Sequence, residues 1–392
     1  MRSTVARAQP DGDSNASGPM GRLGCRAAVS PRATSVAAVL PANLFETTTP
    51  RLSLRRPVPA DLPFHVALHT DPRLYSHAPQ AMRGEAENRD VFERFVRHWD
   101  EHGFGYWVVE DLATGEPVGM AGVRHAEGYL NLYYRFRHEA QGRGYAREVA
   151  REAVALATEW LPGVPVRAVV RPGHHASLRT AERAGLFRSG TTRHPDDLPD
   201  EEPSVVLEAP RMHRLSHVPE VPDRDEVINL WCRVNDAGGA VGFRPGATRD
   251  EVDDALARHE AQMADGQALL GQLRDPAGRL VGLGWWVASP TPLLAHALWL
   301  YRVMVDPDLQ GRNLGRLLMA GMHRVARETE GIEMVTLDYR SGTGVGGFYA
   351  RCGYTEVGRI PGAIRVAPGD DRDDVIMTRR LDGKPLQPHG GT

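Results

Sequence analysis

Two short stretches of this 392-residue chain have the residue types and spacing to hold an anion with main-chain groups alone. One is Gln310-Gly-Arg-Asn-Leu-Gly315. Ahead of it the run Leu298-Trp-Leu-Tyr-Arg-Val-Met-Val305 carries a single charge and reads as a strand buried on both faces. Asp306-Pro307 ends that strand, because proline has no amide to give a ladder. Behind the loop, Leu314, Leu317, Leu318, Met322 and Val325 recur at helical spacing. The other stretch is Gln141-Gly-Arg-Gly-Tyr-Ala146. It lies between a strand, Leu130–Phe136, and a helix with Val149, Ala153, Leu156 and Trp160 on one face. Strand, glycine-bearing loop, helix is a layout that aims several backbone N–H groups at one point, where the helix dipole also favours negative charge. The dipole supplies only about 0.3–1 kcal/mol, so the aimed amides must supply most of the grip.

Both loops have the form Gln-x-x-(Gly or Asn)-x-(Gly or Ala), which resembles the pyrophosphate loop of the GNAT acyltransferase superfamily. The resemblance implies that Gln141, Gly142, Arg143, Gly144, Tyr145 and Ala146 bind the diphosphate of acetyl-CoA. It implies the same for Gln310, Gly311, Arg312, Asn313, Leu314, Gly315 and Arg316. The first loop matches the motif outright. The second has Asn313 where glycine is usual, a mild departure since Asn tolerates a left-handed backbone. Val303, Met304 and Val305 fall where GNAT strands splay apart and backbone groups receive the pantetheine arm; the alternative is plain strand core. Phe348-Tyr349 followed by Gly353-Tyr354 resembles the second half of the family's downstream motif, while Gly342 and Val345 hold its usual Asn and Ala positions. The resemblance makes Tyr349 the candidate acid beside the leaving sulfur. His174-His-Ala-Ser-Leu-Arg179 resembles the Asn-x-Ala-Ser-x-Arg of the branch that acetylates ribosomal-protein N-termini, with His174 in place of Asn. Ser177 there either hydrogen-bonds a departing thiol or caps the helix that begins at that point. No general base is legible: Asn131 stands where relatives often carry an acid, and Asp338 and Glu333 are the acids nearest the second core strand in sequence.

The elements that position these groups repeat. After residues 1–46, an Ala-, Arg-, Ser- and Pro-rich tail expected to be disordered, one GNAT-type domain is expected over 47–209 and a second over 223–382. A linker over 210–222 joins them and a short disordered tail, 383–392, follows. The expected fold class is α/β, each domain a mixed, mostly antiparallel central sheet flanked by helices. The helices include one starting after Asp61 as N-cap, one over Glu87–His102, and two over Asp223–Val234 and Asp250–Met263. Trp285, Trp286 and Trp299 either line an acceptor pocket or pack the core.

Composition narrows the function. A net charge of −3 gives no electrostatic case for nucleic acid or anionic membrane. No apolar run approaches the roughly 20 residues a spanning helix needs, so a cytoplasmic location is expected. Cys25, Cys232 and Cys352 have no motif spacing, and His65 and His69, though four apart, lack a third ligand, so no metal is expected. The expectation is an acetyl-CoA-dependent N-acetyltransferase acting on a primary amine of a small molecule or peptide, as monomer or homodimer. The tandem layout resembles that of mycothiol synthases, in which one half works and the other has lost its chemistry. Domain two alone has the tyrosine, so it is expected to be the working half. A non-catalytic acyl-CoA sensor, or use of a longer acyl chain, stays open.

Overall fold

In the computed structural model of the chain the described residues are 44–76, 78–193, 200–216, 224–244 and 246–387. Residues 1–43 and 388–392, which hold most of the first expected tail, half of the second, and Cys25, lie outside them.

The first half opens with β1 (Thr47–Thr48), β2 (Leu52–Arg55), α1 (Leu62–His69) and α2 (Glu85–His102). It continues with β3 (Tyr106–Asp111), β4 (Pro117–Ala126), β5 (Tyr129–Phe136), α3 (Tyr145–Trp160), β6 (Val166–Val170), α4 (His175–Arg183), β7 (Phe187–Thr192) and β8 (Ser204–Glu208). Its sheet runs β1-β2-β3-β4-β5-β6-β8-β7, antiparallel except for β5 beside β6. The second half has β9 (Arg211–Leu215), α5 (Arg224–Asp236), α6 (Arg249–Ala264), β10 (Ala268–Arg274) and β11 (Leu280–Ala288). Then come β12 (Ala297–Val305), α7 (Leu314–Arg327), β13 (Met334–Arg340), α8 (Gly346–Arg351), β14 (Thr355–Ala367) and β15 (Asp370–Arg380). Its sheet runs β14-β15-β13-β12-β11-β10-β9, with β12 and β13 the parallel pair. Both sheets are thus mixed and mostly antiparallel, with helices against them.

Three expectations change. The stretch read as linker supplies β9, which pairs with β10 from Leu270↔Leu215 to Arg274↔Arg211. Proline and charge at its ends masked an edge strand, and residues 217–223 lie outside the described ones. The strand before the second loop is not buried on both faces: Leu298, Leu300 and Met304 are buried while their neighbours are half-buried. Asp61 sits at the start of α1 but does not cap it. Its carboxylate accepts from Arg55 Nη1 and Nη2 and from the Val58 amide, each at 2.8 Å. Trp285 and Trp286 are both fully buried core residues on opposite faces of β11, so neither lines a pocket.

The two halves meet along α3 and α7, the helices that follow the two loops. Leu314, Leu317, Leu318, Met322 and Val325 are all buried, each worth about 1.5–3 kcal/mol of burial. Polar ties lock the pair: Arg316 to Glu152 at 2.6 Å and Arg327 to Glu159 at 2.9 Å. Arg379 of β15 also reaches Glu159, at 2.7 Å, and donates to His323 Nδ1. Burial pulls the Glu159 carboxyl up, but the neighbouring His323 and the charges of Arg379 and Arg327 outweigh it and hold it well below the usual carboxylate range.

Candidate active site

The loops are near-copies in backbone. Gly142 and Gly144 have φ of 74° and 79°; Gly311 and Asn313 have 77° and 68°. Asn313 therefore takes the left-handed turn expected of it, one of two non-glycine residues that do so among those described. This double reversal folds the chain back onto its own helix. The first-turn N–H groups of α3 and α7, which have no intrahelical acceptor, then face the loop's concave side.

Their side chains are used differently. Arg312 donates to Leu186 O at 2.8 Å and stacks on Phe187, with 4.4 Å from its Cζ to the ring centroid. Asn313 Nδ2 donates to Ala184 O at 3.1 Å. Both side chains fasten the second loop to domain one, so only their main chain is left for a ligand. In the first loop the Tyr145 ring is buried and its hydroxyl donates to Asp111 at 2.6 Å. Arg143 lies over that ring and 3.4 Å from Asp111. Gln141 is exposed at the entry of the loop and Ala146 half-buried at its exit. Leu314 is buried, and Gly315 sits where an added Cβ would lie 3.4 Å from Phe348.

A strap crosses the first loop. Arg51 donates to Arg143 O at 2.8 Å and to Glu148 at 2.7 Å, and Thr49 Oγ1 donates to Glu148 at 2.6 Å. Glu148 belongs to the first turn of α3. A carboxylate there, held by its own arginine, already meets the positive end of that helix. The matching position in α7 is Leu317, buried in the core. Sequence reading missed the strap, since Thr49–Arg51 lie far from the loop in the chain.

The core strands differ too. β12 pairs with β13 only from Ala297↔Met334 to Leu300↔Leu337, and beyond Leu300 the two diverge. Opposite β11 the register shifts between Leu283 and Trp285, and Arg302 within that bulge has φ of 56°. Val303, Met304 and Val305 follow the bulge, the two valines half-buried and Met304 buried. Thus the strand is packed by side chain, while beyond Leu300 its main chain is unpaired on the β13 side. β5 also leaves β6 early, after Asn131↔Arg167, but pairs with β4 without a bulge from Gly119↔Phe136 to Ala126↔Tyr129. The signal for the bulge was present: Arg302 is the lone charge in its apolar run. Its guanidinium lies over Trp231 at 5.7 Å, its Nε is sealed without a partner, and burial lowers its pKa.

Tyr349 stands on α8, its ring 5.9 Å from Tyr339 and 5.2 Å from Phe348. Burial, reinforced by Cys352 and Asp338, pushes its hydroxyl above 10.0. Asp338 comes immediately after the last residue of β13 that pairs with β12, at the mouth of the splay, and its charge acts on both Tyr349 and Arg302. Glu333 lies beyond the opposite, closed end of β13 and is exposed. Ser177 does not cap α4, whose N-cap is His174. Its Oγ is 3.0 Å from Tyr134 Oη, which also donates to Ser177 O at 2.9 Å. Burial pushes that tyrosine up to about 12. Asn131 donates to Tyr106 Oη at 2.6 Å. His65 and His69 stack at 4.0 Å, and His69 Nε2 meets Tyr133 Oη at 2.7 Å.

A cavity of about 650 Å³ lies between the two loops. One wall is the second loop from Leu309 to Arg316, with Val305, Phe348 and Cys352; the other is Thr49–Arg51, Gly144 and the first turns of α3. Burial pushes the Cys352 thiol up to about 12, so it stays protonated. Among the described residues no group of three or more His, Cys, Asp or Glu is placed to hold a metal ion, and no helix is long and apolar enough to cross a membrane.

Known proteins bear on this geometry. A family described as "Acetyltransferase (GNAT) domain" matches residues 51–186, and a second family of the same description matches residues 271–356. The chain is 27% identical over 130 residues to the uncharacterized protein YkkB of Bacillus subtilis, covering 32% of this chain and 75% of that one. It is 25% identical over 283 residues to the mycothiol acetyltransferase of Salinispora tropica, covering 69% of this chain and 86% of that protein. An acetyltransferase structure from Agrobacterium tumefaciens is 26% identical, with a TM-score of 0.35 over 41% of this chain and 92% of that one. With one matched domain in each half, the chain belongs to the GNAT acetyltransferase family and carries that domain twice.

Proposed function

We propose that the protein is an acetyl-CoA-dependent N-acetyltransferase that acetylates a primary amine of a small molecule or peptide, with the chemistry in its C-terminal domain. The observation that carries this is a combination in that half: the left-handed loop lines the cavity together with Val305 and Phe348, the core strand that ends in Val305 bulges at Arg302, and Tyr349, next to Phe348 on α8, has a hydroxyl that makes no hydrogen bond among the described residues. The residues fit the cosubstrate. Amides of Gly311 to Arg316 suit its diphosphate, and the open edge of Tyr301–Val305 suits its amide-rich arm.

The amine nitrogen attacks the thioester carbonyl, the C–N bond forms and the C–S bond breaks, leaving a thiolate. Asp338 takes the proton the amine must shed. Tyr349 donates a hydrogen bond to the departing sulfur. It does not hand over its proton: a phenol near 10 against a thiol near 8.5 is already about 2 kcal/mol uphill, and its raised pKa widens that gap. Holding amine and thioester together supplies about 7–11 kcal/mol of the barrier, more than acid–base help adds. Domain one serves mainly as a wall of the cavity.

Incubation with acetyl-CoA and a panel of amines tests this. Thiol release coupled to a product heavier by one acetyl group is expected with at least one amine. Tight coenzyme binding with no turnover on any amine, peptide or acyl chain length would instead make the protein a sensor.

A further inference from the structure

The second loop accounts for a diphosphate, but the cavity in front of it holds more positive charge than a diphosphate uses, and much of it comes from the other domain. Arg151 of α3 donates through Nη2 to Gly311 O at 2.8 Å, which sets its guanidinium at the rim of the second loop. Its Nε donates to Arg183 O at 3.2 Å. Both partners are main-chain carbonyls, so no carboxylate neutralises it. Arg147, one turn earlier on α3, and Arg351, at the end of α8, line the same cavity, and neither makes an ion pair among the described residues. The acids nearby are already engaged: Glu148 by Arg51, and Glu152 by Arg316. Burial lowers the Arg151 pKa, and the fields of Arg147, Arg316, Arg183 and Arg351 lower it further.

Three uncompensated guanidinia facing one cavity repel each other, and the repulsion grows as water is excluded. An anion with several oxygens relieves it, and the planar fork of arginine suits phosphate in particular. The loop amides and the start of α7 occupy one wall; the arginines stand on α3 and α8, to either side of it. A second phosphate on the same ligand, set apart from the diphosphate, would therefore meet them. Coenzyme A carries such a group on the 3′ position of its ribose.

We propose that Arg147 and Arg151 of domain one, with Arg351 of domain two, form a subsite for the 3′-phosphate of the coenzyme A bound on the second loop. The first domain thereby selects the cosubstrate of the second. This rests on the functional reading above and extends it with a specific task for domain one.

Calorimetric titration with coenzyme A and with 3′-dephospho-coenzyme A, at one salt concentration, tests the subsite on the unaltered chain. Charge-assisted hydrogen bonds to phosphate predict coenzyme A to bind at least 10-fold more tightly. The double variant Arg147→Gln, Arg351→Gln alters two exposed side chains that hold no other element, and Arg151 is left in place because it also secures Gly311. In that variant the two affinities should converge within about threefold, through loss of coenzyme A affinity alone. Equal affinities in the unaltered chain would overturn the subsite while leaving the functional reading intact. A variant that weakens both ligands equally would overturn it too, because the arginines would then act on the diphosphate. Binding of neither ligand would overturn the functional reading and the subsite together.

Discussion

In domain one the left-handed loop lies beneath Thr49 and Arg51, and the first turn of its helix carries Glu148 held against that strap. In domain two the corresponding loop has no carboxylate in its first helical turn and opens onto the cavity. The core strand of domain one keeps regular pairing on its β4 side and presents Tyr134, already bonded to Ser177. That of domain two bulges at Arg302 and leaves its parallel neighbour after Leu300, as β5 leaves β6 after Asn131, and the hydroxyl of Tyr349 on α8 makes no hydrogen bond among the described residues. Two domains of one family, with loop φ angles within about ten degrees of each other, thus differ in what covers the loop, in the bulge of the core strand and in the bonding of the tyrosine each presents. In the proposed function the fold supplies a place for a diphosphate, and reactivity turns on the bulge and the tyrosine of one half.

The sharpest way to break this contrast is through the two tyrosines. Tyr349→Phe should lower kcat by about 10²–10⁴-fold with little change in coenzyme affinity. Tyr134→Phe should leave kcat within about twofold and cost about 1 kcal/mol in urea melts, the worth of a hydrogen bond. Equal losses of kcat from both would mean that the halves share the chemistry.

A smaller effect should be common to both halves, because it belongs to packing and not to the active site. Burial holds His65 to about 4 and His69 to about 3 in domain one, and His259 and His323 to about 4 in domain two. A histidine whose folded pKa lies below its unfolded value binds fewer protons when folded. Stability is therefore full above pH 6.5 and falls as pH drops towards about 4. Each group withdraws on the order of 2–3 kcal/mol across that window. Thermal melts between pH 7 and pH 4 should show one transition moving down, because Glu159 of α3 ties Arg327, Arg379 and His323 across the domain boundary. Two transitions that separate in acid would contradict that coupling.

Much of the fold was legible. The two strand–loop–helix units, the β10–β11 hairpin and α2, α5 and α6 come through because their apolar periods are strong and their turns carry Pro, Gly or Asp. β9 and β14 did not, since both lie at sheet edges where charge and exposure remove the alternation. In the site, Asn313 was legible from backbone chemistry alone, and Tyr349 by resemblance. The strap, the use of Arg312 and Asn313 side chains between domains, and the convergence of Arg147, Arg151 and Arg351 were not. Each depends on residues brought together by the packing of α3 on α7, which no local pattern encodes. Asp338 could be preferred over Glu333 only once the pairing of β13 showed which end of the strand opens.

The claim that the second loop is the working one can be tested by placing the same charge at the same position in each. Gly315→Glu and Ala146→Glu both set a carboxylate at the start of a helix where a diphosphate would lie. Calorimetry with coenzyme A, on variants shown by melting to be folded, should find binding weakened at least 100-fold by Gly315→Glu and changed less than about threefold by Ala146→Glu. Loss through Ala146→Glu with retention in Gly315→Glu would contradict the account, as would an unaltered chain that fails to bind coenzyme A at millimolar concentration.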